Sequence, residues 1–557
     1  MERVICFGEN DRFQTAVDAK TKSKERASIA AFYVGRNIFV TGGTGFLGKV
    51  LIEKLLRSCP DVGEIFMLMR PKAGLSIDDR LKKMLELPLF DRLRKEKPSN
   101  LKKLIPVRGD MSVEGLGLGL VERRTITERV SVIFHVAANV RFIENLRKDI
   151  FSNVRSTRDV CILAGAMKNL VASKKHSFFI LICEIIKATS VLKIAFVCIQ
   201  ALVHVSTAYA HVDKPVIDEV VYPALTDWRS AIRMIESLDE QTVQIFTSKY
   251  LGSMPNTYTF TKRLAEQVIS DYSKDLPSVI FRPSIVISTI EDPVSGWLDN
   301  FNGPVGMMVG GGKGILRVVR LEPNVSADFL PIDLAIKVML TAAWKRGLKT
   351  VTKDPSVYVY NGSSHQIHRI TSKELVTMGL RLNEETPLEG IIWYPRTILT
   401  SNRLLHYILT LLTHVLPALI IDETLNATGR RRMLIKIHKT IYSSVTQLSF
   451  FLHNEWCFHN SNMLDILTIQ VPPAEREIFG YDYHHFNVEQ YFKNCLIGVK
   501  RYLLKEDLTR LKQAKRYYDR MKWFDRIFSV WLIVMAIWIL YKVGIFSYFL
   551  ESTHSIV

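Results

Sequence analysis

Thr41-Gly42-Gly43-Thr44-Gly45-Phe46-Leu47-Gly48 decides how the chain folds. Ahead of it, Asn37 to Thr41 reads as a short buried strand. Behind it, Phe46 to Arg57 reads as a helix with Leu47, Val50, Leu51, Lys54 and Leu55 on one side. Glu64 to Met69 is the next strand. A strand, glycine turn, helix and strand in that order form the parallel α/β unit. Glycines in that setting allow a tight turn and let a pyrophosphate approach the backbone at the helix N-terminus. A glycine triplet alone is more often a structural turn. Placed between strand and helix, Thr41, Gly42, Gly45, Phe46, Leu47 and Gly48 are expected to bind a dinucleotide.

Further strands follow at Lys103 to Val107, Ser131 to Ala137 and Leu202 to Ser206, so the expected fold class is α/β, a Rossmann-type doubly wound parallel sheet. At the end of the second strand an acidic residue would select the free ribose hydroxyl of NAD, but the sequence has Met69-Arg70-Pro71-Lys72. Arg70 and Lys72 favour a 2′-phosphate and hence NADPH, the alternative being a solvated basic turn. Tyr258 and Lys262 stand one helical turn apart in Tyr258-Thr259-Phe260-Thr261-Lys262. A phenol titrates near ~10, and a neighbouring ammonium stabilises its anion, which suits the pair to proton transfer at neutral pH. Ser206-Thr207 ends a predicted parallel strand, the edge at which α/β sheets place their sites. The Tyr-Lys spacing arises by chance in many helices; with the glycine turn and Ser206-Thr207 it points to one active site.

Four stretches, Thr41 to Arg57, His204 to Ala210, Pro255 to Lys262 and Gly296 to Gly314, resemble the extended short-chain dehydrogenases. Within that superfamily they look like the alcohol-forming fatty acyl-CoA reductases, those of insects especially. The likeness runs from Phe32 to Tyr541, and the region after about residue 395 is similar to that family's helical C-terminal male-sterility-type domain. The resemblance implies reduction of long-chain fatty acyl-CoA to fatty alcohol with two NADPH, through a hemithioacetal and an aldehyde. It implies Tyr258 as proton donor, Lys262 as the residue that lowers its pKa and holds the nicotinamide ribose, and Thr207 as the hydrogen-bond partner of the reacting oxygen. Ser206 takes that role if the register shifts by one. Gly42, Gly45 and Gly48 would cradle the pyrophosphate and Asp110 would meet the adenine. Ala137, Ala138 and Asn139 would line the cleft, with Asn153 bracing it. No metal is implied. The residues alone do not establish the second hydride step. Two other readings stay open here: an NADP-dependent sterol or sugar dehydrogenase or epimerase of the same superfamily, and a catalytically idle membrane-bound form. The Gly296 to Pro304 stretch counts against the first, and intact Thr207, Tyr258 and Lys262 count against the second.

The 74 Lys and Arg against 55 Asp and Glu give a formal charge of +19, which suits phosphorylated cofactors, CoA or anionic lipid. No basic run is interleaved with aromatics and no zinc-finger spacing occurs, which argues against nucleic acid. Seven cysteines without a CxxC pair are expected to be reduced thiols, hence a catalytic part facing the cytosol. The first 27 residues lack the apolar core of a secretory signal. Ile527 to Tyr541 is uncharged, and if Lys542 snorkels the apolar run reaches Leu550, long enough to span a bilayer. Lys515, Arg516, Arg520, Lys522 and Arg526 just before it place the preceding domains on the cytoplasmic side; the membrane expected is that of the endoplasmic reticulum or peroxisome, and these charges do not choose between them. An interfacial segment or hairpin is the alternative. A second apolar stretch, Leu404 to Ile421, is weakened by His406, His414 and Pro417 and is expected to be a buried or interfacial helix. The expected order is a polar tail (1–30), a reductase domain (31–395), a helical domain (396–522) and an anchor (523–550).

Residues 171–200 depart from the family pattern. Deleting them would join a helix end to a strand start by a connection of ordinary length. The segment starts with Val, whose codons begin GT, and ends with Gln, which CAG can encode, so it reads as a retained in-frame intron or a gene-model error. The competing reading is a membrane-associating excursion, since Phe178 to Ile199 is strongly apolar; Glu184, Lys187 and Lys193 argue against a spanning helix.

Overall fold

Runs such as Ile38-Phe39-Val40 and Ile65-Phe66-Met67-Leu68-Met69 have no polar face to turn to water, so only a sheet covered on both faces can hold them. The computed structural model, which describes residues 28–72, 74–140, 142, 145–167, 199–349 and 354–542, buries both runs. The strands β1 (Asn37–Thr41), β2 (Ile65–Met69), β3 (Leu104–Arg108), β4 (Val130–His135), β5 (Ala201–Val205), β6 (Ser278–Pro283) and β7 (Tyr358–Gly362) form one sheet in the order β3-β2-β1-β4-β5-β6-β7. Every pairing in it is parallel. The strand order reverses between β1 and β4, and in open α/β sheets ligands bind outside the carboxyl ends of the strands at such a point. The doubly wound parallel sheet expected from the sequence is therefore present.

Four helices matter for the site: α1 (Phe46–Ser58), α2 (Ser156–Ala166), α3 (Thr257–Tyr272) and α4 (Ile332–Leu348). Of the face its periodicity predicts, α1 buries Val50, Leu51, Leu55 and Lys54, whose ammonium lies 2.5 Å from Asp292, while Leu47 is half-buried; Ile52, Glu53, Leu56 and Arg57 on its other sides are buried too. α3 packs on α2, and α4 on α1.

The chain separates into two compact units. The first holds everything described up to Asp299, with Ser326–Ile370 and Asn454–Tyr491; the second holds Asn300–Val325, Thr371–His453 and what is described from Phe492 onward. The sequence boundary expected near residue 395 is thus crossed in space, because residues 454–491 complete the first unit. There Trp456 Nε1 donates to Val212 O (3.1 Å), Cys457-Phe458 pairs in parallel with Val216-Ile217, and Asn361 Nδ2 donates to His459 O (2.8 Å). Hydropathy marks these residues as apolar but does not say which core receives them.

In the second unit, α5 (Arg403–Ala427) is followed by α6 (Leu434–His453). The Asp422 carboxylate accepts the amides of Met433, Leu434 and Ile435 at 2.9–3.0 Å and so caps the start of α6. α6 lays Ile441, Val445 and Leu452 against Leu316, Val319 and Leu321. Among the described residues, α5 is the helix long and apolar enough to cross a membrane. Leu404 to Ile421 is helical as expected, but it is not a buried helix: only 11% of its most apolar window is covered. The expected anchor is described up to Lys542, the end of α7 (Leu511–Lys542), where Trp523, Phe524, Val530, Trp531 and Ile533 stand exposed. The rest of the anchor lies outside the described residues, as do most of the polar tail and nearly all of the 171–200 segment expected to be atypical.

Candidate active site

At the end of β1 the turn into α1 leaves no room for side chains. Gly42 has φ +75°, and a Cβ on it would stand 2.6 Å from the Ala137 amide nitrogen; a Cβ on Gly48 would stand 2.2 Å from the Gly42 carbonyl oxygen. Gly45 is the N-cap of α1 and no side chain caps the helix, so its first amides, those of Phe46 and Leu47 among them, face outward with the positive end of the helix dipole. That cradle fits the diphosphate of a nicotinamide dinucleotide. Thr41 stands behind it: its hydroxyl lies 2.8 Å from His135 Nδ1 and accepts the Ala137 amide at 3.3 Å, tying β1 to the loop after β4. The Phe46 ring stacks on Trp297 at 5.5 Å.

Arg70 and Lys72 follow β2 and are exposed, with no carboxylate in the position of the NAD-selecting acid. Arg70 Nε lies 3.9 Å from Asp110, which follows β3 and accepts the Ser112 amide and hydroxyl at 2.9 and 2.8 Å. Ala137, Ala138 and Asn139 form the half-buried loop after β4. The Asn139 amide donates to Asn153 Oδ1 (2.9 Å) and its side-chain nitrogen to Asp149 (2.8 Å). Asn153 Nδ2 donates in turn to Thr261, and Thr257 donates to Asp149, at 2.9 and 2.6 Å. The loop is thereby fastened to α3 through Asp149, Thr257 and Thr261, residues the sequence reading did not single out.

Tyr258 lies in the first turn of α3, whose N-cap Asn256 accepts the Thr259 amide at 2.9 Å. Its hydroxyl faces that of Thr207, just past the end of β5, which donates to Pro283 O at 3.5 Å. Burial pushes the phenol up to about 12; the Thr207 hydroxyl opposes this, and the Asp149 charge adds to it. Lys262 is 2% exposed, and its ammonium donates to Val205 O at 2.5 Å. Burial brings the amine down to about 7 against the opposing charge of Glu266. With the ammonium on the β5 carbonyl, the phenol is raised rather than lowered, because desolvation outweighs every nearby group.

The two neighbouring hydroxyls part company, as successive side chains on an extended strand must. Thr207 faces Tyr258; Ser206 donates to Glu266 Oε1 and so stands away from the phenol. Glu266 also accepts two bonds from the fully buried Arg282, at 2.9 and 2.7 Å, and lies 2.9 Å from His211 Nε2. Glu266 went unremarked in the sequence, although it sits one turn beyond Lys262 on the buried face of the same helix.

Two family models, each described as male sterility protein, match residues 40–180 with 184–339 and residues 413–506. Fatty acyl-CoA reductase 1 of Homo sapiens is 36% identical over 514 residues, covering 92% of this chain and 93% of the human protein. Fatty acyl-CoA reductase wat of Drosophila melanogaster is 33% identical over 518 residues, covering 93% and 94% of the two chains. Among solved structures, the reductase domain of a non-ribosomal peptide synthetase from Mycobacterium tuberculosis shares the fold. It has a TM-score of 0.51 and 17% identity over 90% of this chain and 97% of that one. By sequence over nearly its whole length, and by the dinucleotide cradle on its parallel sheet, the chain belongs to the fatty acyl-CoA reductase family of oxidoreductases.

Proposed function

We propose that the chain reduces long-chain fatty acyl-CoA to fatty alcohol with NADPH in two hydride transfers. The observation that carries the reading is the meeting of the Tyr258 and Thr207 hydroxyls at the carboxyl edge of β5, beside a buried Lys262 whose ammonium donates to Val205 O. When bound, the dihydronicotinamide supplies hydride to a carbonyl carbon, that of the thioester first and of the aldehyde second. The resulting oxyanion is more basic than a phenolate, so Tyr258, even raised to about 12, gives it a proton. Thr207 holds the same oxygen in line. The protonated hemithioacetal expels the CoA thiol and leaves the aldehyde; a second hydride and proton give the alcohol. Lys262 holds the nicotinamide ribose and, being near neutrality, helps return a proton to Tyr258.

Gly42, Gly45 and Gly48 with the amides of Phe46 and Leu47 take the diphosphate, and Thr41 backs them. Arg70 and Lys72 take the 2′-phosphate and Asp110 the adenine, while Ala137, Ala138 and Asn139 line the cleft, braced by Asn153. The segment 523–550 anchors the protein with its catalytic part in the cytosol, at the endoplasmic reticulum or peroxisome, near membrane-partitioned acyl chains. The test is NADPH consumption over a panel of acyl-CoA chain lengths. Tyr258→Phe is expected to lower kcat/KM by roughly 10²–10⁴-fold while the cofactor still binds, and two NADPH should be consumed per CoA released. Full activity in Tyr258→Phe sinks the proposal, and a ratio of one NADPH per CoA stops the reaction at the aldehyde.

A further inference from the structure

The second unit holds a cavity of about 570 Å³ framed by α5, α6 and the strand Val318–Arg320. Arg320, Arg403, His406 and His438 line it together with Tyr407 and Tyr442, and no acidic residue does. Arg320 reaches a backbone carbonyl, that of Ser401 at 3.5 Å, and among the described residues neither arginine meets a carboxylate. Beside this basic pocket, α5 leaves Leu404, Leu412, Leu416, Leu419 and Ile420 exposed. The same helix is held along its own unit at two points. His414 Nε2 accepts the Arg317 amide at 2.8 Å, and Asp422 holds three amides of α6. A helix fastened in this way is placed to lie along a bilayer surface rather than to cross it.

We propose that the cavity seats the phosphate headgroup of an anionic membrane phospholipid, with α5 in the interface and its exposed leucines among the acyl chains. Guanidiniums are suited to phosphate by their fixed fork of donors, and the volume falls within the range of small-ligand sites. A free anion would satisfy the arginines but leave the aliphatic row facing water, whereas a lipid accounts for both. The proposal does not depend on the reductase reading.

The full chain would be reconstituted in phosphatidylcholine vesicles doped with phosphatidylserine carrying a diazirine in its tail, and in parallel with the same probe on phosphatidylcholine. After photolysis, labelled peptides are mapped by mass spectrometry. The serine lipid is expected to label residues 403–449 several-fold more than the choline lipid. Arg320→Gln with Arg403→Gln should cut that excess roughly tenfold or more, at about 1 kcal/mol per cation near an anionic surface, while the double Lys variant keeps most of it. Melting temperature and cofactor binding report that each variant is folded; if the Gln pair does not fold, the two-lipid comparison on the unaltered chain decides. Equal labelling by both lipids, or unchanged labelling in a folded Gln pair, overturns the proposal. So does loss of labelling on adding inorganic phosphate or acyl-CoA at millimolar concentration, which would reassign the cavity to a soluble anion or to substrate.

Discussion

Lys262 titrates near 7 because burial outweighs the attraction of Glu266, and that value sets a pH dependence. Its folded pKa lies below the ordinary lysine value, so between about 7 and about 10.5 the unfolded chain binds a proton that the folded chain does not. The ligand-free protein therefore gains stability from this group as pH rises through that window and carries its full cost below it. Cofactor binding runs the other way. In the proposed mechanism it is the ammonium form that holds the ribose, so Kd is expected to be flat below pH about 7 and to climb toward tenfold per unit above it. Lys262→Met should remove the slope, as read by fluorescence titration. Glu266 supports the pair from beneath. Glu266→Gln leaves the fully buried Arg282 without its counter-charge and is expected to cost roughly 3–5 kcal/mol in chemical unfolding, with a lower melting temperature. That Tyr258, Lys262 and Thr207 come together was legible from residue type, from the helical spacing of the first two and from the strand end that precedes Thr207. Glu266 and Asp149 were not, because their parts depend on partners far off in sequence, Arg282 and Thr257, that only the fold brings near.

The turn from β1 into α1 allows a sharper test. Gly48→Ala drives a methyl into the Gly42 carbonyl, so the turn must open; an overpacked site of this kind costs ~1–3 kcal/mol, and dinucleotide Kd should rise by about tenfold or more with a lower melting temperature. Strands β1 to β5 were legible to within one or two residues at each end, since unbroken apolar runs between turn residues admit little else. β6 and β7 were not singled out, since Ser278–Pro283 carries the polar Arg282 and Tyr358–Gly362 ends in Asn361-Gly362. Both polar side chains are buried by pairing, Arg282 with Glu266 and Asn361 with the carbonyls of Ile217 and His459, which a one-dimensional pattern does not reveal. The connection from α2 to β5 permits a deletion test. α2 ends at Ala166 and β5 begins at Ala201, so a chain lacking 171–200 still has Met167 to Leu170 to bridge them, with Leu170 taking the place of Gln200, whose amide donates to Ser131 O. Such a chain is expected to keep reductase activity and melting temperature, and transcripts sequenced across Leu170 and Ala201 should be dominated by the short form.

Over the whole molecule, the two apolar helices are distinguishable by charge insertion. If α7 begins a spanning anchor, Val534→Lys with Ile537→Lys places two cations in hydrocarbon at roughly 2.5–3.5 kcal/mol each. Alkaline carbonate should then release a large share of a protein that otherwise stays in the pellet; equal retention would deny α7 that role. Composition announced a membrane-seeking surface and a basic surface, but not how the chain is shared between its units, because burial in either core selects the same apolar residues. That sharing has a consequence for biogenesis. The reductase sheet is complete in sequence by Gly362, yet Trp456, Cys457, Asn460 and Tyr491 still have to reach their places on Val212, Val216, Ser363 and Ser288. A ribosome that has made the whole sheet has not made all of the unit around it. The nascent nucleotide-binding half must wait, unfinished, through the synthesis of α5 and α6, and it is in that interval that a chaperone has most to hold.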